Sequence, residues 1–232
     1  MATFVIVRYN AVMHPFRYTS DSLKGTKRKE NKDRIWISEK NEWIFSVLFD
    51  GISSAKEANR GIDIAVDFLE KNYQRFLVNR NLRLADLMFE VNSQIIKAGL
   101  NSPFATYSAA YFNSMSGMAK FSNLGDSRIY EVTPQYLKQL TQDDNLVHDK
   151  NVVTKYLGMV ELTREQILEF LVNTEGKRIL LCSDGFYSIL EEKLSRFYEI
   201  FNFKNEVNIK KSLSSEIEGN NFDDASYVLV FK

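Results

Sequence analysis

Acidic residues stand where apolar, strand-like runs begin or end, and this placement constrains the chain more than any other feature. Val47-Leu48-Phe49 runs into Asp50-Gly51, and Ile179-Leu180-Leu181-Cys182-Ser183 runs into Asp184-Gly185. Phe121-Ser122-Asn123-Leu124-Gly125 leads to Asp126, Asp33 opens another apolar run, and Asp223-Asp224 stands just before the last. Asp-Gly after a strand is ordinarily a hairpin turn, because Gly takes positive φ and Asp caps its own turn. That requires a strand straight after the Gly, and a helical pattern follows Gly51 and Gly185 instead. Each pair alone reads equally well as a turn or helix cap. As a set, carboxylates at the ends of buried strands would repel one another without a counter-charge. A hard divalent cation resolves that repulsion, since Mg²⁺ and Mn²⁺ take oxygen ligands. With two histidines, His14 and His148, and one cysteine, Cys182, oxygen ligation is the only metal chemistry on offer. Spacing leaves open whether the acids converge.

The rest of the chain reads as a single domain over residues 1–232, with no Gly/Ser linker or repeat. Residues 3–7 read as a strand, and 10–30, with Pro15 and a basic cluster at Lys24–Lys29, as a loop. Strands are expected over 33–38 and 43–49 with a turn at Lys40-Asn41. Helices are expected over 55–77, capped by Ser53 or Ser54, and over 84–98, from apolar positions stepping by three or four. Four consecutive strands (104–112, 117–123, 127–132, 136–140) suggest an antiparallel meander. A helix near 164–171, a strand at 177–183, short helices between 186 and 217 and a last strand at 225–231 complete an α+β pattern.

Charge and cysteine content bound the function. Lys+Arg and Asp+Glu are 30 each, and a zero balance argues against a dedicated nucleic-acid binder. A lone cysteine favours a reducing compartment. The apolar runs are strand-sized and the N-terminus lacks a basic segment, so neither a membrane span nor a signal peptide is expected and the location reads as cytoplasmic. Cys182, inside an apolar run, reads as a buried small residue.

The order of motifs resembles that of the metal-dependent Ser/Thr protein phosphatases of the protein phosphatase 2C type, in their bacterial form. Gly25-Thr-Lys-Arg28-Lys-Glu-Asn31-Lys32-Asp33 is similar to the opening Gly-x-x-Arg-x-x-Asn-Glu-Asp, and Phe49-Asp50-Gly51 to Phe-Asp-Gly-x-Gly-Gly. Asn123-Leu-Gly125-Asp126-Ser127-Arg128, Leu140-Thr141-Gln-Asp143-Asp144, the 151–158 segment ending in Leu157-Gly158, Leu181-Cys182-Ser183-Asp184-Gly185 and Asp223-Asp224-Ala-Ser226-Tyr-Val228 follow in the family's order. The resemblance implies a four-layer sandwich of two antiparallel sheets flanked by helix pairs. It implies a signalling enzyme that hydrolyses phosphoserine or phosphothreonine on a phosphorylated protein, opposite a cognate Ser/Thr kinase or its substrates. It also implies two cations, Mn²⁺ or Mg²⁺, activating a water. By motif position, Asp50 bridges both metals, the Gly51 carbonyl holds the second, and Asp184 and Asp223 hold the first. Asp126 belongs to a third, weaker metal, Asp33 acts through bound water, and Arg28 clamps the phosphate.

The pattern also breaks. Lys32 stands where the family has a metal-binding Glu. The second metal is then weakened by a neighbouring ammonium, or Lys32 binds the phosphate itself, or the chain is a catalytically weak or inactive regulatory module. Recruiting Glu30 instead would break the spacing to Asn31. Asp224 replaces an Asn and reads as a solvated turn acid. Ile52 stands where some members carry a proton-donating His, and Ser53-Ser54 replace two glycines.

Overall fold

The computed structural model describes residues 16–40 and 42–232. The expected strand at 3–7, His14 and the turn residue Asn41 lie outside these. In chain order the strands of the first half are β1 (Arg17–Leu23), β2 (Asp33–Lys40), β3 (Trp43–Gly51), the short pair β4 (Leu77–Val78) and β5 (Asn81–Leu82), β6 (Ala105–Asn113) and β7 (Met118–Leu124). Helices α1 (Ala58–Asn72) and α2 (Leu84–Lys97) lie between β3 and β6. The second half carries β8 (Arg128–Val132), β9 (Leu137–Gln139), the ribbon β10 (Asn145–Leu146) and β11 (Asp149–Val153), β12 (Glu169–Asn173) and β13 (Arg178–Cys182). Helices α3 (Asp184–Glu192), α4 (Leu194–Phe201) and α5 (Glu206–Ile217) precede the last strand, β14 (Ala225–Phe231).

Two five-stranded antiparallel sheets, ordered β1-β14-β13-β8-β9 and β12-β7-β6-β3-β2, pack face to face. Alternation along each strand decides which sheet face a side chain joins. On β3, Phe45, Val47 and Phe49 pack with Ile62, Leu69, Leu87 and Val91 of α1 and α2. Ile44, one residue out of phase, joins Phe112 and Phe121 against Ile179, Leu181, Val228 and Val230 of the other sheet. Leu180, Tyr227 and Leu229 on the far face pack under Phe186, Phe197, Ile209 and Leu213 of α3, α4 and α5. The result is the four-layer α+β sandwich, with a helix pair on one side and three helices on the other. Among the described residues no helix is long and apolar enough to cross a membrane.

Four expectations are corrected. The 10–30 stretch contains β1, an edge strand whose Tyr-Thr-Ser-Asp-Ser sequence has little apolar signal because only one side meets a partner, β14. The expected helix at 164–171 is one 3-10 turn, Arg164–Gln166, followed by edge strand β12, whose Leu171 is 61% exposed. The α1 helix begins at Ala58, three residues late, with Glu57 and not a serine at its N-cap. The four consecutive strands do not form one meander: β6 and β7 pair in one sheet, whereas β8 and β9 belong to the other. The chain crosses between the sheets at Gly125-Asp126-Ser127.

Candidate active site

That crossing is the device that aims Asp126. Gly125 sits at φ +94°, where an added Cβ would lie 2.4 Å from the Thr106 side chain. Its N–H donates to Asp144 Oδ2 at 3.1 Å, and its carbonyl accepts from the Asp144 N–H at 3.0 Å. Asp144 also takes Lys155 Nζ at 2.6 Å. Next to it, Asp143 accepts from Arg128 Nη2 at 2.8 Å, and Thr141 Oγ1 accepts from the Ile129 N–H at 3.1 Å. The 140–144 motif is therefore a brace for the crossover.

The other acids arrive at the same edge of the sandwich by strand register. Asp33 and Asp50 stand opposite each other on β2 and β3, and Thr106 of β6 pairs with Asp50 from the other side. Asp184 begins α3 just past β13, and Asp223 precedes β14, the strand paired to β13. Gly185 is required here, because a Cβ on it would lie 2.2 Å from the Asp224 carbonyl oxygen. Asp50, Asp126, Asp184 and Asp223, from four separate chain segments, line one cavity of about 580 Å³. Ile52, Ser53, Ser54, Thr106, Arg128 and Tyr187 contribute to its walls.

Their electrostatics follow first from burial and then from crowding. Burial, then Asp184, Asp33, Asp126 and Asp223, push the Asp50 carboxyl well above the usual carboxylate range. Asp184 is raised to about 6 by burial, Asp223 and Asp126, against hydrogen bonds from the Gly185 backbone and from Asp50 that hold it down. Asp50 and Asp184 thus lie within hydrogen-bond reach, as close carboxyl pairs do. Asp33, 4% exposed, is raised to about 8 by burial, with the Ser226 and Ser183 hydroxyls pulling the other way, and its Oδ2 makes no hydrogen bond. Asp126 is also raised, chiefly by burial.

Cations stand at one margin. Arg28 grips both oxygens of Asp223 through Nε and Nη2, and its Nη2 also donates to Ser53 Oγ at 2.6 Å. Lys32 Nζ donates to the carbonyls of Ser53 at 3.0 Å and Ala55 at 2.9 Å and is not among the cavity-lining residues. Gly51 is buried at the end of β3, where its N–H donates to the Lys32 carbonyl at 3.2 Å.

The donor set suits a hard, oxygen-ligated cation: Asp50, Asp126, Asp184 and Asp223 on one cavity and a buried, unpaired Asp33 oxygen behind them. Among the described residues no three acidic, His or Cys side chains are yet gathered around one point. Asp50 is turned to Asp184, and Arg28 holds Asp223.

Asp224 is not a solvated turn acid. It is 4% exposed, and its oxygens accept from the N–H groups of Gly25 and Lys32, both at 2.8 Å. It anchors the opening motif loop, and its burial was invisible because the preceding loop supplies the donors from about two hundred residues away. Sequence reasoning also gave no role to Arg128, whose guanidinium lies 3.7 Å from the Tyr187 ring centre and pairs with Asp143 and Glu191. Its place in the Asp126-Ser127-Arg128 motif was the available signal.

The family model of protein phosphatase 2C matches residues 25–218. A serine/threonine phosphatase, stp, of Listeria monocytogenes is 25% identical over 198 residues, covering 73% of this chain and 77% of that protein. The crystal structure of the Staphylococcus aureus serine/threonine phosphatase Stp1 superposes with a TM-score of 0.77 at 16% identity, covering 94% of this chain and 96% of that one. That of RsbX in complex with magnesium superposes with a TM-score of 0.67 at 15% identity, covering 93% of this chain and 94% of that one.

Proposed function

The chain belongs to the protein phosphatase 2C family, and from that membership we propose that it is a serine/threonine phosphatase dependent on Mn²⁺ or Mg²⁺. The observation that carries this is the meeting of Asp50, Asp126, Asp184 and Asp223 on one cavity. Asp50, Asp184 and Asp223 would hold the cation, with Asp126 as a further ligand and Asp33 behind Asp50. When bound, the cation neutralises these acids and lends electrophilic assistance to the phosphoryl group.

The remaining work falls to the chain. Arg28 presents a planar fork at the cavity margin, suited to two phosphoryl oxygens once its grip on Asp223 is relaxed. Ser53 offers a hydroxyl on the cavity wall. The substrate is a phosphorylated protein in the cytoplasm, opposite a Ser/Thr kinase, and the domain spans the chain.

A second reading, a phosphoprotein-binding module without turnover, is favoured by one contact: both Asp223 oxygens are taken by Arg28. Hydrolysis of p-nitrophenyl phosphate and of a phosphothreonine peptide, in EDTA and in excess Mn²⁺, separates the two. Turnover that requires the cation and vanishes in Asp50→Asn supports the phosphatase. Peptide binding without turnover in either condition supports the module.

A further inference from the structure

Lys32 spends every polar group it has on joining three segments. Its N–H donates to Asp224 Oδ2 at 2.8 Å, before β14. Its carbonyl accepts from the Gly51 N–H at 3.2 Å, at the end of β3. Its ammonium holds the carbonyls of Ser53 and Ala55, at 3.0 and 2.9 Å, in the loop that leads to α1. That loop is a wall of the cavity, through Ile52, Ser53 and Ser54. It enters a helix whose N-cap, Glu57, makes no capping hydrogen bond and whose first turn carries no acid. On its far side the run is tied by the Lys56 and Glu57 N–H groups to Ser102. On the cavity side its ties are the Lys32 ammonium, the Arg28 bond to Ser53 Oγ and the Ile52 N–H to the Phe104 carbonyl at 3.1 Å.

Carbonyl oxygens converging on a positive charge are what a hard cation site offers. Here the charge is covalently attached and cannot dissociate. We propose that Lys32 is a positioning residue: its ammonium is a tethered cation that fixes the Ser53–Ala55 wall of the cavity, so that this wall keeps its shape without a dissociable metal. The proposal goes beyond the phosphatase assignment, since its first test holds for a chain with no turnover. A neutral side chain of the same length removes the charge and leaves both carbonyls to water. An arginine keeps a charged donor.

The test is amide exchange read by mass spectrometry over residues 52–57, on metal-free protein, in wild type, Lys32→Met and Lys32→Arg. Loss of two charge-assisted hydrogen bonds should speed exchange there about tenfold in Lys32→Met, with Lys32→Arg near wild type and the β6 and β14 amides unchanged. In the wild type, excess Mn²⁺ should leave the 52–57 exchange as it is in EDTA. With p-nitrophenyl phosphate, KM should rise in Lys32→Met while kcat stays within about twofold, and Lys32→Arg should restore it. Wild-type exchange in a folded Lys32→Met protein overturns the proposal. So does marked slowing of 52–57 by Mn²⁺ in the wild type, an arm that needs no variant. Failure of the phosphatase assignment appears separately, as absence of wild-type turnover.

Discussion

Asp33 and Asp50 are directly opposed on neighbouring antiparallel strands, two carboxyls at one rung of a sheet with no cation side chain between them. Like charges at such a rung destabilise it. Burial is the largest cause of the raised pKa of each. The arrangement sets a sign for pH dependence. An acid whose folded pKa lies above its unfolded value binds more protons folded than unfolded, so the fold loses stability as pH rises. With Asp184 at about 6, Asp33 at about 8 and Asp50 raised well above the carboxylate range, the loss begins near the ordinary carboxylate pKa and continues through pH 8. Thermal unfolding in EDTA should give a lower Tm at pH 8.5 than at pH 6, both conditions chosen around those values. Mn²⁺ should flatten the slope; a Tm that rises with pH in EDTA would show the acids are compensated some other way.

Neutralising the centre should separate activity from stability. Asp50→Asn and Asp184→Asn each remove a charge that is repelled in the metal-free fold and needed for cation binding. Turnover should fall by about a thousandfold or more, the loss of a principal metal ligand. Metal-free Tm at pH 8 should rise. Both are measured on the same preparations, by steady-state assay and by calorimetric melting.

Arg28 holds Asp223 and so competes with any cation for it. Arg28→Ala should therefore act in two directions. KM for a phosphopeptide should rise about tenfold, from loss of a charged phosphate donor. The Mn²⁺ concentration for half-saturation, read by calorimetry without substrate, should fall.

Asp224 is the anchor of the opening loop. Asp224→Ala leaves the Gly25 and Lys32 N–H groups without their acceptor. The cost should be about 2–4 kcal/mol in denaturant unfolding, two buried donors unsatisfied. Asp224→Asn keeps one acceptor oxygen and should recover part of it.

Much of this was legible in one dimension, and the exceptions have physical causes. Asp50, Asp126 and Asp184 could be found because an apolar strand must end at each of them. Layer membership could not be read for β8 and β9, because consecutive strands look alike whether they extend one sheet or cross to another; only the Gly125 crossover decides. Edge strands defeated the pattern as well: β1 has too few apolar residues to register, and Leu168 and Leu171, spaced three apart as in a helix, are both exposed, the first just before β12 and the second within it. For Lys32 the departure was visible, but not where its ammonium goes: it turns to the Ser53 and Ala55 carbonyls, and neither lies near it in sequence. Asp224 was misjudged for the same reason, its partners being remote.

The strand that follows Asp223 and Asp224 is not at an edge. β14 is inserted between β1 and β13, so an interior strand of that sheet is supplied by the segment the ribosome makes last among those described. Until it emerges, β1 has no neighbour to pair with, Arg28 has no Asp223, and the Gly25–Lys32 loop has no anchor. A nascent chain stalled before residue 223 would carry Asp50, Asp126 and Asp184 and still have no assembled centre. The centre therefore depends on a strand remote in sequence from the acids of β3 and of the β7–β8 crossover.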